Sequence, residues 1–278
     1  LLKLIKYDDL TLFKNDVIPF LERYEAENNL ILGVLLSLSE KDEPFLMATV
    51  IKDSKIELVL LQTQPSEIIL SKSVNLTLKE IHSIGEKLIN TVREIPGFIG
   101  EKKLTTELAN FFLELKGFQV SFQMDQKIYK LEKVKKIYNS NGKIRRVLEK
   151  DHYIIQEWMY HFCNEINQPI SKEKADKRTR EMIKKEKLFA WEVNGELVSM
   201  ACATRPTKNN ITVSCVYTPV FERKKGYASQ CVSALTQSLL DCGYKTTSLY
   251  TDFSNPTSNK IYIQIGYEAI MDSTLILF

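Results

Sequence analysis

The chain has 278 residues, 44% hydrophobic and 26% charged, with a formal net charge of +3. That is room for one large domain or two ordinary ones, and the charge is too small to select nucleic acid or a membrane surface as partner. No apolar run nears the ~20 residues of a membrane span, and the opening LLKLIKYDDL lacks a signal peptide's apolar core and cleavage site, so a cytoplasmic protein is expected.

In chain order, the first half offers the apolar runs Pro44–Val50 (PFLMATV) and ELVLLQTQP, which ends at Pro65. Leu131–Gly142 (LEKVKKIYNSNG) is basic and ends in a turn-forming Asn-Ser-Asn-Gly. This suggests a domain over 1–131, a linker over 132–142 and a second domain over 143–278. In the second half, Ile154, Ile155, Trp158, Met159 and Phe162 recur at helical spacing. Lys172–Glu186 is a charged helix whose mixed signs indicate a solvated face. LFAWEV and ELVSMACAT form a hairpin about Asn194-Gly195. ITVSCVYT is a third strand, stopped by Pro219. A helix follows with Ala228, Cys231, Val232, Leu235 and Leu239 on one stripe and Gly243 at its end. KTTSLYTD is a strand. Asn255-Pro256 opens a short helix that ends at Gly266, and YEAIMDSTLILF closes the chain as one or two strands. The order β, α, α, three strands, α, β, α, β implies a mixed sheet, mostly antiparallel with one parallel crossover.

The pattern recurs across the linker. ELVLLQTQP and ITVSCVYTP end in prolines 154 residues apart, and at the same offset PFLMATV falls on VSMACAT. LELKGFQV (Leu113–Val120) resembles YIQIGYEA (Tyr262–Ala269) at an offset of 149. A duplicated fold is expected.

All five cysteines, Cys163, Cys202, Cys215, Cys231 and Cys242, lie in the second half, with no CxxC pair, which reads as reduced thiols. Cys215 in an apolar strand and Cys231 on a helical stripe read as packing residues. His161-x-Cys163 lacks two further ligands, so no metal site is expected.

The stretch Val216–Ser229 (VYTPVFERKKGYAS) joins strand to helix through Arg223-Lys224-Lys225-Gly226. Strand, glycine loop and helix present free backbone N–H groups to an anion. Basic side chains there oppose the helix dipole and make better sense beside an anion, although an ordinary charged loop is the rival reading. The loop is neither a P-loop nor a GxGxxG dinucleotide loop. After Pro65 the first half has SEIILSKS, without the glycine or the basic run.

The hexapeptide Arg223-Lys224-Lys225-Gly226-Tyr227-Ala228 resembles the [RQ]-x-x-G-x-[GA] signature of the GNAT superfamily of acyl-CoA-dependent N-acetyltransferases. Asn255, Ser258, Tyr262, Gly266 and Tyr267 match a second element of that family, and the resemblance covers about 143–278. It implies an α/β fold of two tandem GNAT-like domains, the first degenerate, with acetyl-CoA as co-substrate and an amine as acceptor. It implies that backbone at Val216, Tyr217 and Thr218 pairs with the pantetheine arm, with a donor near Val216 for the oxyanion. N–H groups from Lys224 through Tyr227 and Ala228 to Ser229 would hold the pyrophosphate, with charge from Arg223, Lys224 and Lys225. Asn255 would contact the arm, Ser258 would leave it room, and Tyr262 would protonate the departing thiolate. The general base stays open among Glu165, Glu192, Asp252, a water chain and the Phe278 carboxylate. A non-catalytic acyl-CoA sensor is the alternative function.

Overall fold

The computed structural model describes residues 2–135 and 142–278; the Asn139-Ser140-Asn141 turn of the expected linker lies outside them. The first half runs β1 (Lys3–Lys6), α1 (Leu10–Leu21), α2 (Asn29–Ser37), β2 (Leu46–Lys52), β3 (Lys55–Gln62), β4 (Ile68–Leu70), α3 (Leu78–Thr91), β5 (Gly97–Glu101), α4 (Lys102–Lys116) and β6 (Phe122–Leu131). The second runs β7 (Gly142–Arg146), α5 (His152–Glu165), α6 (Lys172–Lys184), β8 (Leu188–Val193), β9 (Glu196–Thr204), β10 (Asn210–Tyr217), α7 (Tyr227–Asp241), β11 (Thr246–Asp252), α8 (Pro256–Ile265) and β12 (Glu268–Leu277). The same ten-element order appears twice, as a duplication requires.

The strand correspondence read from the offset of 154 is one strand out. ELVLLQTQP is β3, whose counterpart is β9 and not β10; PFLMATV is β2, whose counterpart is β8. Buried strands of one sheet share an apolar composition, so neighbours align as well as true partners. The LELKGFQV and YIQIGYEA pair is correctly matched, as the ends of α4 and α8.

The chain packs as two compact units. One comprises Leu1–Tyr129, Tyr250–Pro256 and Ala269–Phe278; the other comprises Lys130–Leu249 and Thr257–Glu268. Each unit is assembled from separated segments of the chain.

In the first unit the strands lie in the order β1-β2-β3-β4-β5-β12-β6. β4 and β5 pair in parallel (Ile68↔Phe98), and β12 joins β5 antiparallel, Ser273↔Glu101 to Leu277↔Gly97. Successive strand side chains alternate faces. Met47, Val59 and Leu61 pack under Phe13, Val17, Leu32 and Leu35 of α1 and α2. Leu46, Ala48, Leu58 and Leu60 pack under Ile84, Leu88, Leu108 and Phe112 of α3 and α4. Both faces are covered, which is why β2 and β3 read as continuous apolar runs.

In the second unit the order is β11-β10-β9-β8-β7. The hairpin turn has φ 51° at Asn194 and 87° at Gly195, the two positive angles that the Asn-Gly pair supplies cheaply. Ile155, Trp158 and Met159 of α5 bury against Leu188, Ala190 and Met200. Each such side chain contributes about 1.5–3 kcal/mol. Helix α6 starts at the Ser171 cap, buries Ala175 and Thr179, and carries most of its charges outward, as expected.

Candidate active site

The parallel register of β10 with β11 covers Asn210↔Thr246, Ile211↔Thr247 and Thr212↔Ser248 and stops there, while β10 continues to Tyr217. On its other edge β10 pairs with β9 as far as Ser214↔Cys202, then resumes at Tyr217↔Met200. Cys215 and Val216 therefore face the single residue Ala201, a β-bulge, with Cys215 at φ 49°. Bulges break the ladder locally and re-aim peptide groups. They favour the neighbourhood of active sites, and this one holds Val216, the residue expected to supply the oxyanion donor.

Ser199 secures the strand end. Its hydroxyl donates to the Tyr217 carbonyl at 3.1 Å and lies 2.9 Å from Thr218 Oγ1. Ser199 was not foreseen; the only sequence signal is a buried serine inside the apolar strand ELVSMACAT. The Tyr217 ring packs tilted against that of Trp158, and burial raises its phenol above the usual range.

The basic loop is less uniform than its sequence. Arg223 folds back: Nε donates to the Thr218 carbonyl at 2.9 Å, and Nη2 donates to both Glu165 oxygens at 2.7 and 2.9 Å. Lys225 pairs with Glu222 at 2.9 Å. Lys224 is exposed and sits at φ 64°. Gly226, at φ 82°, occupies the N-cap position of α7, and no side chain caps that helix. The helix start, where Tyr227, Ala228 and Ser229 begin the first turn, carries a partial positive charge.

Tyr262 on α8 is buried, and its ring lies 6.1 Å from that of Tyr267. Burial, then the nearby Tyr267 and Cys231, push the phenol well above its usual range, while a hydrogen bond with Ser258 acts the other way. The phenol therefore keeps its proton throughout the physiological range. Tyr267 is itself pushed up to about 12 by burial and is held by Thr236 and Thr247, each at 2.9 Å. Asn255 lies in the Tyr250–Pro256 segment of the first unit, where its N–H donates to the Asp252 carbonyl at 3.1 Å.

The candidate bases are already engaged. Glu165 holds Arg223. Glu192 binds Arg145 and Lys143, and the Arg145 bond lowers its carboxyl below the usual range. Asp252 accepts from the N–H and hydroxyl of Ser254 at 2.7 and 2.6 Å. Phe278 packs in the first unit with Phe98, Phe112 and Phe118.

The corresponding helix start of the first half is built differently. Between β4 and α3 the chain reads SKSVNLT, with no glycine. The Thr77 hydroxyl accepts from the Glu80 N–H, and the Glu80 carboxylate accepts from the Thr77 N–H at 2.8 Å, a reciprocal capping box. Glu80 also pairs with Lys52 at 2.7 Å; that ion pair and the Thr77 donors lower its carboxyl to about 2. Helix α3 carries its own anion where α7 has none.

Residues 153–267 match the acetyltransferase (GNAT) family. No curated protein matches the chain by sequence. Among solved structures, a GNAT-family acetyltransferase from Colwellia psychrerythraea superposes with a TM-score of 0.61 at 11% identity, over 99% of both chains. A GCN5-related N-acetyltransferase from Sphaerobacter thermophilus gives 0.62 at 11%, over 99% of this chain and 94% of that one. A tandem GNAT protein from the clavulanic acid biosynthesis pathway gives 0.54 at 9%, over 99% and 98%. At these identities the structures establish a tandem fold.

Proposed function

We propose that this chain, whose residues 153–267 match the acetyltransferase (GNAT) family, moves an acetyl group from acetyl-CoA directly to a primary amine, with the second half performing the chemistry. One observation carries this reading. Within a few residues β10 leaves its parallel partner, bulges at Cys215 and Val216, and leads into a helix whose start has a left-handed glycine and no cap of its own.

Acetyl-CoA supplies the activated thioester, and the chain's own groups fit it. N–H groups from Lys224 to Ser229 hold the pyrophosphate, as helix starts hold anions, with charge chiefly from Lys224, since Lys225 is matched by Glu222. Arg223, matched by Glu165, fastens the loop to the strand end and adds little net charge. Backbone groups of Val216, Tyr217 and Thr218 line the pantetheine arm, with Ser258 alongside. A preorganised N–H at Val216 contributes about 3 kcal/mol by stabilising charge on the carbonyl oxygen. Tyr262 holds a proton at Oη for the departing sulfur. An ordinary phenol titrates near 10 and a thiol near 8.5. Burial widens that gap, so Tyr262 acts chiefly as a hydrogen-bond donor whose proton moves as the sulfur becomes free. The reading requires no metal, nucleic acid or membrane, places the protein in the cytoplasm, and takes a small-molecule or peptide amine as acceptor.

Calorimetric titration tests it. One acetyl-CoA per chain is expected, because Glu80 fills the first half's equivalent position. No binding, or two equal sites, would refute the assignment. The engaged state of Glu165, Glu192 and Asp252 favours the second reading, a non-catalytic acyl-CoA sensor. Acetyl-CoA binding without turnover across a broad amine panel would select it.

A further inference from the structure

Three buried thiols and a guanidinium meet on one face of the second unit, and acyl transfer as proposed above uses none of them. Cys163 of α5, Cys202 of β9 and Cys215 of β10 share a packed cluster with Trp158, Met159 and Tyr217. Arg178 of α6 reaches into it. Its Nη1 donates to Cys163 Sγ at 3.7 Å and its Nη2 to Cys215 Sγ at 3.6 Å.

The bulge is what brings the sulfurs together. Ser214 stands opposite Cys202, so in an unbroken strand Cys215 would point to the other face. The extra residue and the φ of 49° reverse that alternation and turn Cys215 into the buried cluster that holds Cys202.

The groups facing Cys215 are Arg178, Arg205, Cys163 and Cys202. Cys202, the Ser214 hydroxyl and the two arginines lower Cys215 below the ordinary thiol range against the opposing effect of burial. Cys202 is raised, by burial first, and so is Cys163, where Arg178 and Lys174 only partly oppose the rise. The Arg178 guanidinium at 3.6 Å favours negative charge on the Cys215 sulfur, while burial disfavours it on Cys202, the division that attack and resolution require.

We propose that Cys215 is a peroxide-reactive thiol which Cys202 closes into a reversible disulfide, a modification site beside Val216. In the first step the Cys215 thiolate attacks the terminal oxygen of a hydroperoxide. An S–O bond forms, the O–O bond breaks, sulfur loses two electrons, and the alkoxide or hydroxide leaving group takes a proton from water. In the second, Cys202 sulfur attacks the sulfenic acid. The S–S bond forms, the S–O bond breaks, and hydroxide leaves as water with the Cys202 proton. The bridge pins the bulge and is expected to weaken acetyl-CoA binding. That last consequence rests on the function proposed above; the thiol chemistry does not.

The test uses the full chain with the exposed Cys242→Ser to remove background reaction. Treatment with hydrogen peroxide, digestion and mass spectrometry should yield a Cys202–Cys215 cross-linked peptide two hydrogens lighter, released by dithiothreitol. Followed at a pH below the thiol pKa, Arg178→Gln should slow the reaction about threefold for each unit that it raises that pKa, because the thiolate fraction falls about tenfold while the more basic thiolate gains nucleophilicity. Should that variant misfold, alkylation of Cys215 in the Cys242→Ser protein gives the same information. Its rate should level off at a pH below the ordinary ~8.5 of a free thiol. No cross-link, a Cys163–Cys215 pairing in its place, or alkylation with an ordinary thiol profile would overturn the proposal. A cross-link that leaves acetyl-CoA binding intact would overturn the placement of the acyl donor at the bulge, and leave the thiol chemistry standing.

Discussion

Replacing Gly226 by alanine separates what this residue does for the fold from what it does for binding. Its backbone stands at φ 82°, ψ 5°. An L-residue pays about 1–2 kcal/mol for that conformation. The added methyl would meet only Gln230 Nε2, at 3.5 Å, an ordinary contact. The folding cost is therefore backbone strain alone. At about 2–4 °C per kcal/mol for a domain of this size, the melting temperature should fall by a few degrees. Binding should suffer separately, because the methyl stands where the pyrophosphate approaches the first N–H groups of α7. A rise in acetyl-CoA Kd of at least about tenfold, or 1.4 kcal/mol, is expected by calorimetry. Gly117→Ala is the control: φ is 65°, nothing lies within 4 Å of the new methyl, and it closes helix α4. It should show similar strain with unchanged Kd. If Gly226→Ala lowers the melting temperature and leaves Kd unchanged, the helix start is not the phosphate site.

Tyr262→Phe should lower kcat about 100-fold with acetyl-CoA Kd unchanged, measured with whichever amine the panel identifies; turnover at the original rate would remove Tyr262 from the mechanism. The same change loses the Ser258 hydrogen bond, at about 1 kcal/mol in denaturant unfolding. Arg223→Ala and Glu165→Gln should show a coupling of only about 0.5 kcal/mol in a double-mutant cycle, since the pair is 41% and 47% exposed. Lys224→Ala should weaken acetyl-CoA more than Arg223→Ala, and the reverse order by calorimetry would make Arg223 a direct phosphate ligand. Glu80 stabilises α3 as a carboxylate, and its folded pKa is depressed to about 2. Its contribution is fully present above the unfolded value of about 4.3 and is lost as pH falls toward 2. In Glu80→Gln, stability followed by denaturant between pH 5 and 2.5 should lose that part of its acid dependence.

Local chemistry was legible in the sequence wherever one short segment decides its own shape. Asn194-Gly195 specified its turn, Gly243 and Gly266 marked helix ends at φ 105° and 121°, and the second half's element order follows from such signals. The duplication was visible too, but its strand alignment slipped by one. Apolar composition says that a strand is buried, not which neighbour it has. The loop Arg223–Gly226 was found because its residue types are unusual at a helix start. The partition of its charges was hidden, since Glu165 lies 58 residues away.

What the chain determined alone was the kind and order of its elements and the chemical character of one junction, because periodicity, turn residues and backbone permissiveness act over a few residues. What only the tertiary structure decided was partnership. It assigned Arg223 to Glu165 and Arg178 to two thiols, and gave the last strand to β5. It also left α7 uncapped while α3 received Glu80. The physical reason is that ion pairs, ladders and packing depend on distance in space, and a one-residue bulge at Cys215 is enough to move a side chain from one face of the sheet to the other.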